Sequence, residues 1–143
     1  MRKNMEYKKF ENTYVVRLDP GDEIVESIKK ISLKENIKLA MVNGLGGINN
    51  FEVGVYDVKE KQYHRKEFNG AYEITSLHGN INTMNGEFYT HIHMSACGID
   101  YNAVGGHLYK AVISATAEIF ITVLDGIVDR EKNQITGLNT FKF

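Results

Sequence analysis

Ala111-Val112-Ile113-Ser114-Ala115-Thr116-Ala117-Glu118-Ile119-Phe120-Ile121-Thr122-Val123 is the stretch on which the fold turns. Every odd position in it is apolar, while Ser114, Thr116, Glu118 and Thr122 fall on the other face. A period of two belongs to a pleated strand with one buried face, so the segment reads as one long bent strand or two short ones.

Working backward, the same period recurs. Glu87 to Ala96 and Tyr72 to Ile81 read as strands, with Asn85-Gly86 and Gly79-Asn80 as turn signals. Gln62 to Phe68 reads as another. Phe51, Val53 and Val55 alternate with Glu52, Gly54 and Tyr56, and Leu39 to Asn43 precedes them. Thr13 to Leu18 is a short strand near the start. After it, Asp19-Pro20-Gly21-Asp22 combines turn chemistry with a helix-starting Asp22. From Glu23 to about Asn36, Ile24, Val25, Ile28, Ile31 and Leu33 return at three- and four-residue spacing, with Lys29, Lys30, Lys34 and Glu35 opposite, which predicts one helix lying on a sheet. Forward of the opening stretch, Asp129 to Gln134 reads as a polar turn and Ile135 to Phe143 as a last strand.

Consecutive strands around one helix imply the α+β class: a mixed, largely antiparallel sheet of about seven or eight strands with one main α-helix. At 143 residues the chain has the size of one domain. Its 43% hydrophobic and 24% charged residues fit a globular core.

Seventeen basic and eighteen acidic residues leave a net charge of −1, which argues against binding nucleic acid by a general basic surface. The densest basic cluster, Lys59, Lys61, His64, Arg65 and Lys66, is interrupted by Glu60 and Glu67 and reads as a solvated strand edge. The single cysteine, Cys97, permits no intramolecular disulfide. No apolar run is long enough for a membrane span, the charged start lacks an apolar segment after it, and the expected location is the cytoplasm.

Gly44-Leu45-Gly46-Gly47 follows a strand but precedes strand-like alternation, so it does not meet the strand-to-helix context of a dinucleotide loop. The expectation is a tight strand-to-strand connection using positive φ. A backbone amide pocket for an anion is the alternative.

The chemistry concentrates in histidines. In Tyr89-Thr90-His91-Ile92-His93-Met94, the strand period sends His91 and His93 to one face, roughly 6 to 7 Å apart along the chain. His107 comes fourteen positions after His93, on a Gly105-Gly106 hinge that permits close approach. Three neutral imidazoles form the ligand set of open zinc sites, and such an ion acts as a Lewis acid toward water or a carbonyl. A hydrogen-bonded polar patch is the other reading of the same residues. Cys97 shares the predicted face and would close the ligand set if it joined. Glu73, set between Tyr72 and Ile74, is the candidate acid or base, with a lysine salt bridge as its ordinary alternative. Glu118 is a second carboxylate in an apolar strand, and His78 is either a support for the site or an exposed residue.

Several segments in order resemble the plants-and-prokaryotes-conserved (PPC) domain. They are Pro20-Gly21-Asp22, Asn43-Gly44-Leu45-Gly46-Gly47, Glu73-Ile74-Thr75-Ser76-Leu77-His78-Gly79-Asn80, His91-Ile92-His93, Gly105-Gly106-His107-Leu108 and Thr136-Gly137-Leu138. The likeness spans nearly the whole chain and implies a single domain over 1–143 that assembles as a homotrimer. In plants such domains accompany an AT-hook and work with DNA. This chain has no Arg-Gly-Arg-Pro hook, and its only proline is Pro20. The superfamily is similar to acetolactate decarboxylase and to a zinc-dependent ester hydrolase, whose H-x-H pair and later histidine match His91, His93 and His107. The resemblance therefore implies a zinc or other divalent ion in a three-histidine site, a small carboxylate or carbonyl ligand, and hydrolase or lyase chemistry. The alternative it implies is a trimeric DNA-associated protein.

Overall fold

The computed structural model describes residues 5–143; the first four residues of the charged start lie outside it. The elements run β1 (Glu6–Phe10), β2 (Thr13–Leu18), α1 (Ile24–Lys34), β3 (Ala40–Asp57), β4 (Gln62–Met84), β5 (Glu87–Gly98), β6 (Ala103–Val123), β7 (Asp129–Lys132) and β8 (Asn139–Lys142). Six strands form one sheet in the order β1-β2-β6-β3-β4-β5, and β7 pairs with β8 separately. Because β5 also pairs with β6, the strands β6, β3, β4 and β5 close into a ring. The α+β class holds, and every strand pair is antiparallel.

The period-two stretch is a single strand, β6. Ile113, Ala117, Ile119 and Ile121 are buried, and they join Ile24, Ile28 and Ile31 of α1 in one core. Glu118 instead points outward and is exposed, since its apolar neighbours occupy the opposite face. The expected desolvated carboxylate is therefore a solvated one.

Several expectations change. The Gly44–Gly47 segment is no turn but lies inside β3, and none of its glycines has positive φ. Its glycines serve close approach: a Cβ on Gly46 would lie 2.6 Å from the Thr116 carbonyl oxygen and 2.8 Å from the Ala117 Cβ. Gly79-Asn80 likewise lies inside β4, where a Cβ on Gly79 would lie 2.1 Å from the His91 carbonyl oxygen. Only Asn85-Gly86 turns the chain, both with positive φ (53° and 78°), as a tight hairpin requires. The expected strands Leu39 to Asn43 and Phe51 to Val55 thus merge into β3, and Gln62 to Phe68 and Tyr72 to Ile81 merge into β4.

At the helix start, Glu23 and not Asp22 is the cap. Its carboxylate accepts from the backbone N–H of Val25 (3.2 Å) and Glu26 (2.7 Å), and also from Ala111 N–H of β6 (2.7 Å). Asp22 accepts from Asp19 N–H and closes the preceding turn. Leu33, expected on the apolar face, is exposed.

At the other end, the polar segment from Asp129 is β7, and the last strand is confined to β8. Asn133 Oδ1 accepts from Ile135 and Thr136 N–H and shapes the connection between them. Among the described residues, no helix is long and apolar enough to cross a membrane.

Candidate metal centre

On β5, Ile92, Met94 and Ala96 are buried in the core, so His91 and His93 project from the other face. In register, His93 lies directly opposite His107 of β6, and His107 in turn lies opposite Gly54 of β3. The expected glycine hinge is a tightly packed piece of strand. A Cβ on Gly105 would lie 2.4 Å from the Met94 carbonyl oxygen, and one on Gly106 would lie 2.4 Å from that of Gly54. Two side-chain-free residues let β6 wedge between β5 and β3 and present His107 beside the H-x-H pair.

The three imidazoles offer nitrogen atoms that all lie within 4.8 Å of one another. His91 Nε2 and His93 Nε2 are 3.1 Å apart. Two nitrogens sharing a tetrahedral zinc at about 2.0–2.1 Å stand about 3.3 Å apart, so the observed spacing suits one ion between them. His107 Nδ1 is buried with no hydrogen-bond partner among the described residues. A buried imidazole nitrogen left without a partner is costly unless a further group satisfies it.

Burial also fixes the charge of these rings. It lowers the His91 pKa, with the charges of His93 and Arg130 adding to it, and lowers that of His93, with His78 adding. His107 falls to about 4 through burial, then through repulsion by His91, His93 and Arg65. All three rings are therefore neutral at pH 7, the form in which imidazole ligates a metal.

The cluster forms the floor of a cavity of about 510 Å³. Its walls are aromatic: the Tyr63 ring lies 5.0 Å from that of His107, tilted by 41°, and Tyr56, Tyr89 and Phe141 complete them. Over it lies the β7–β8 hairpin. One end is fastened to β4 and its turn by Thr83 Oγ1 and Asn85 N–H donating to Asp129, and the other by Tyr56 OH donating to the Thr136 carbonyl at 2.6 Å.

This hairpin brings Arg130, which sequence reasoning left in a polar turn. Arg130 is 5% exposed and donates through Nε to Asn82 Oδ1 (3.1 Å), through Nη1 to the Asn139 carbonyl (2.7 Å) and through Nη2 to Asn80 Oδ1 (3.0 Å). Nothing in Asp129-Arg130-Glu131-Lys132 marks one charge as buried; only the pairing of the hairpin does so.

The remaining candidates lie elsewhere. Cys97 keeps the predicted face but is four residues, roughly 13 Å, beyond His93 along the strand. It pairs in register with Glu73, and both line a separate cavity of about 360 Å³. Glu73 is exposed, not desolvated, and does not meet the imidazoles. His78 lies opposite His93 on β4, its Nδ1 3.0 Å from Ser76 Oγ, outside the cluster of three. His64 bonds Glu60 at 2.8 Å near the exposed tip of the β3–β4 hairpin.

A ring of antiparallel strands bearing three convergent, neutral histidines under a hairpin defines a small α+β protein with a candidate metal centre. The chain belongs to the Plants and Prokaryotes Conserved (PCC) domain family, whose pattern matches residues 5–125. Its fold is similar to that of a candidate DNA-binding protein from Bacteroides thetaiotaomicron, 31% identical with a TM-score of 0.94 over 99% of both chains. It is also similar to a metal-containing protein from Archaeoglobus fulgidus, 29% identical with a TM-score of 0.87 over 99% of this chain and 100% of that one. A plant- and prokaryote-conserved protein from Pyrococcus horikoshii is 28% identical, with a TM-score of 0.84 over 100% of this chain and 97% of that one. No curated protein gives a significant match.

Proposed function

We propose that the protein holds a divalent metal ion, zinc in the first instance, on His91, His93 and His107, and binds a small carboxylate or carbonyl compound beside it. The observation that carries this is the convergence of three neutral imidazoles at the floor of an aromatic cavity. Three nitrogen ligands are the set that zinc uses where a coordination position stays available to a ligand. A bound zinc would supply Lewis acidity toward a carbonyl or water, which suits hydrolysis or carbon–carbon lyase chemistry. The chain's own part is to hold the three rings neutral and convergent and to shield the ligand with Tyr56, Tyr63 and Tyr89.

Elemental analysis of purified protein tests it, with His91→Ala, His93→Ala and His107→Ala alongside. About one equivalent of metal in the wild type, lost in each variant, is the expected result. A protein that takes up no zinc from a buffered solution overturns the reading.

The likeness to the Bacteroides protein supports a second reading, association with DNA, and the homotrimer joins it as what the family resemblance implies. The net charge of −1 weighs against it. Light scattering reads the trimer, and salt-dependent binding of duplex DNA near physiological ionic strength reads the partner.

A further inference from the structure

The β7–β8 hairpin lies outside the residues 5–125 that the family pattern matches, yet it contributes Arg130, Asn139 and Phe141 to the histidine cavity. Arg130 is a buried cation whose partners are all neutral: two side-chain amides and one backbone carbonyl. Among the described residues no carboxylate forms an ion pair with it. Its neighbour Asp129 is committed to Thr83 and the Asn85 N–H. Buried arginines are ordinarily paired with an acid, because leaving water uncompensated is expensive.

Three further features concern what would complete it. The three hydrogen bonds use three of the five guanidinium N–H groups, leaving one on each terminal nitrogen. The guanidinium is held over the rings of Tyr89 (4.7 Å) and Phe141 (4.5 Å), which fixes its plane. Among the described residues no aspartate or glutamate lines the cavity, and Arg130 is the one permanent charge they bring to it. Arg130 is also close to the imidazoles: it bonds Asn80, which lies opposite His91 in the β4–β5 register.

We propose that Arg130 is the carboxylate-binding residue of this cavity, selecting short oxo or hydroxy acids whose carboxylate pairs with the guanidinium while a carbonyl or hydroxyl oxygen faces the histidines. The assignment rests on the three-histidine reading for the second half of the ligand, and on the guanidinium alone for the first. The fork geometry of arginine suits a planar carboxylate, and an amide of the same shape forfeits the charge-assisted bond. The hairpin thereby sets which ligands the cavity accepts.

The test is calorimetric titration of zinc-loaded protein with pyruvate and lactate against pyruvamide and lactamide, the neutral amides of the same shape. The acids should bind at least about tenfold more tightly, since only they form the charged pair. Arg130→Gln should bring acid and amide within about twofold of one another while the protein still takes up zinc, and Arg130→Lys should recover part of the preference. A purely structural arginine would change thermal stability in these variants without touching that ratio. Equal binding of acids and amides by the wild type, no binding of any of the four at 10 mM ligand (about the weak limit of such a titration), or an unaltered preference in a folded Arg130→Gln overturns the assignment. The wild-type comparison stands even where a variant fails to fold. If the wild type takes up no zinc, the metal reading fails by itself; the acid-to-amide ratio on metal-free protein then decides Arg130, a preference supporting it and parity overturning it.

Discussion

Strands β4 and β5 carry two cavities along their length, and the pair differs in what it does with its polar groups. In one, His91 and His93 of β5 meet His107 across the β5–β6 register, His91 and His107 half-buried and His93 more exposed, with no acid among the described lining residues. In the other, Glu73 of β4 lies opposite Cys97 of β5 beside Tyr72, Ser114 and the exposed Tyr101, and the described residues there form no three-ligand cluster. Both cavities use the same outward face of β5. Sharing a face therefore does not make a site; a ligating side chain on the third strand at the same level does, and β6 sets His107 opposite His93 but Ala103 opposite Cys97.

The largest test of this contrast is zinc affinity. Zinc sites with about four ligands are worth about 10–16 kcal/mol, so losing one imidazole should cost about 2.5–4 kcal/mol, roughly a hundred- to a thousandfold in affinity. His107→Ala titrated against a chelator should show that loss, whereas Glu73→Gln and Cys97→Ser should leave zinc affinity within about twofold. A weakened site in either of the latter would join the two cavities into one.

Half of the centre was legible in the sequence. The H-x-H spacing put His91 and His93 on one face because strand geometry leaves no other outcome, and Gly105-Gly106 marked a close approach before His107. What strand periodicity could not supply is register: that Ala103 and not His107 comes opposite Cys97, or that Glu73 pairs with it. Long-range pairing also hid Arg130, buried only because β8 returns beside it, and made glycines in β3 and β4 resemble turns. The helix was legible through its three- and four-residue spacing, but its cap was misread, since Glu23 is fixed by β6 as well as by the helix.

The next largest effect concerns the stretch of β4 between the cavities. Gly79→Ala would push a Cβ to 2.1 Å from the His91 carbonyl oxygen. Overpacking typically costs about 1–3 kcal/mol, and a backbone clash belongs at the upper end, about 3 kcal/mol. Chemical denaturation should show it, and the displaced β5 should weaken zinc binding too. Gly98→Ala, beside the second cavity, should leave zinc binding unchanged.

Metal removal follows. If zinc binds only the folded chain, protein at a free zinc concentration of 100 times Kd gains about 2.7 kcal/mol, several degrees in Tm, and chelation removes it. His107→Ala should show almost no chelator-dependent shift in differential scanning calorimetry. Glu73→Gln should show all of it.

The smallest effect lies away from both cavities and separates the frame from the site. Glu23 caps α1 and simultaneously accepts from Ala111 N–H, so Glu23→Ala exposes orphan donors at the helix start and at Ala111 of β6. Cap losses cost about 1 kcal/mol, and the second acceptor brings the expectation to about 1–2 kcal/mol in urea unfolding. Because β6 carries His107 only four residues before Ala111, the question is whether loosening one end of the strand propagates to the other. Gly105 and Gly106 hold the site end between β5 and β3 by backbone contact. Zinc affinity should therefore be unchanged in Glu23→Ala while stability falls, and a parallel loss of both would mean that the helix start, and not strand packing, sets the position of His107.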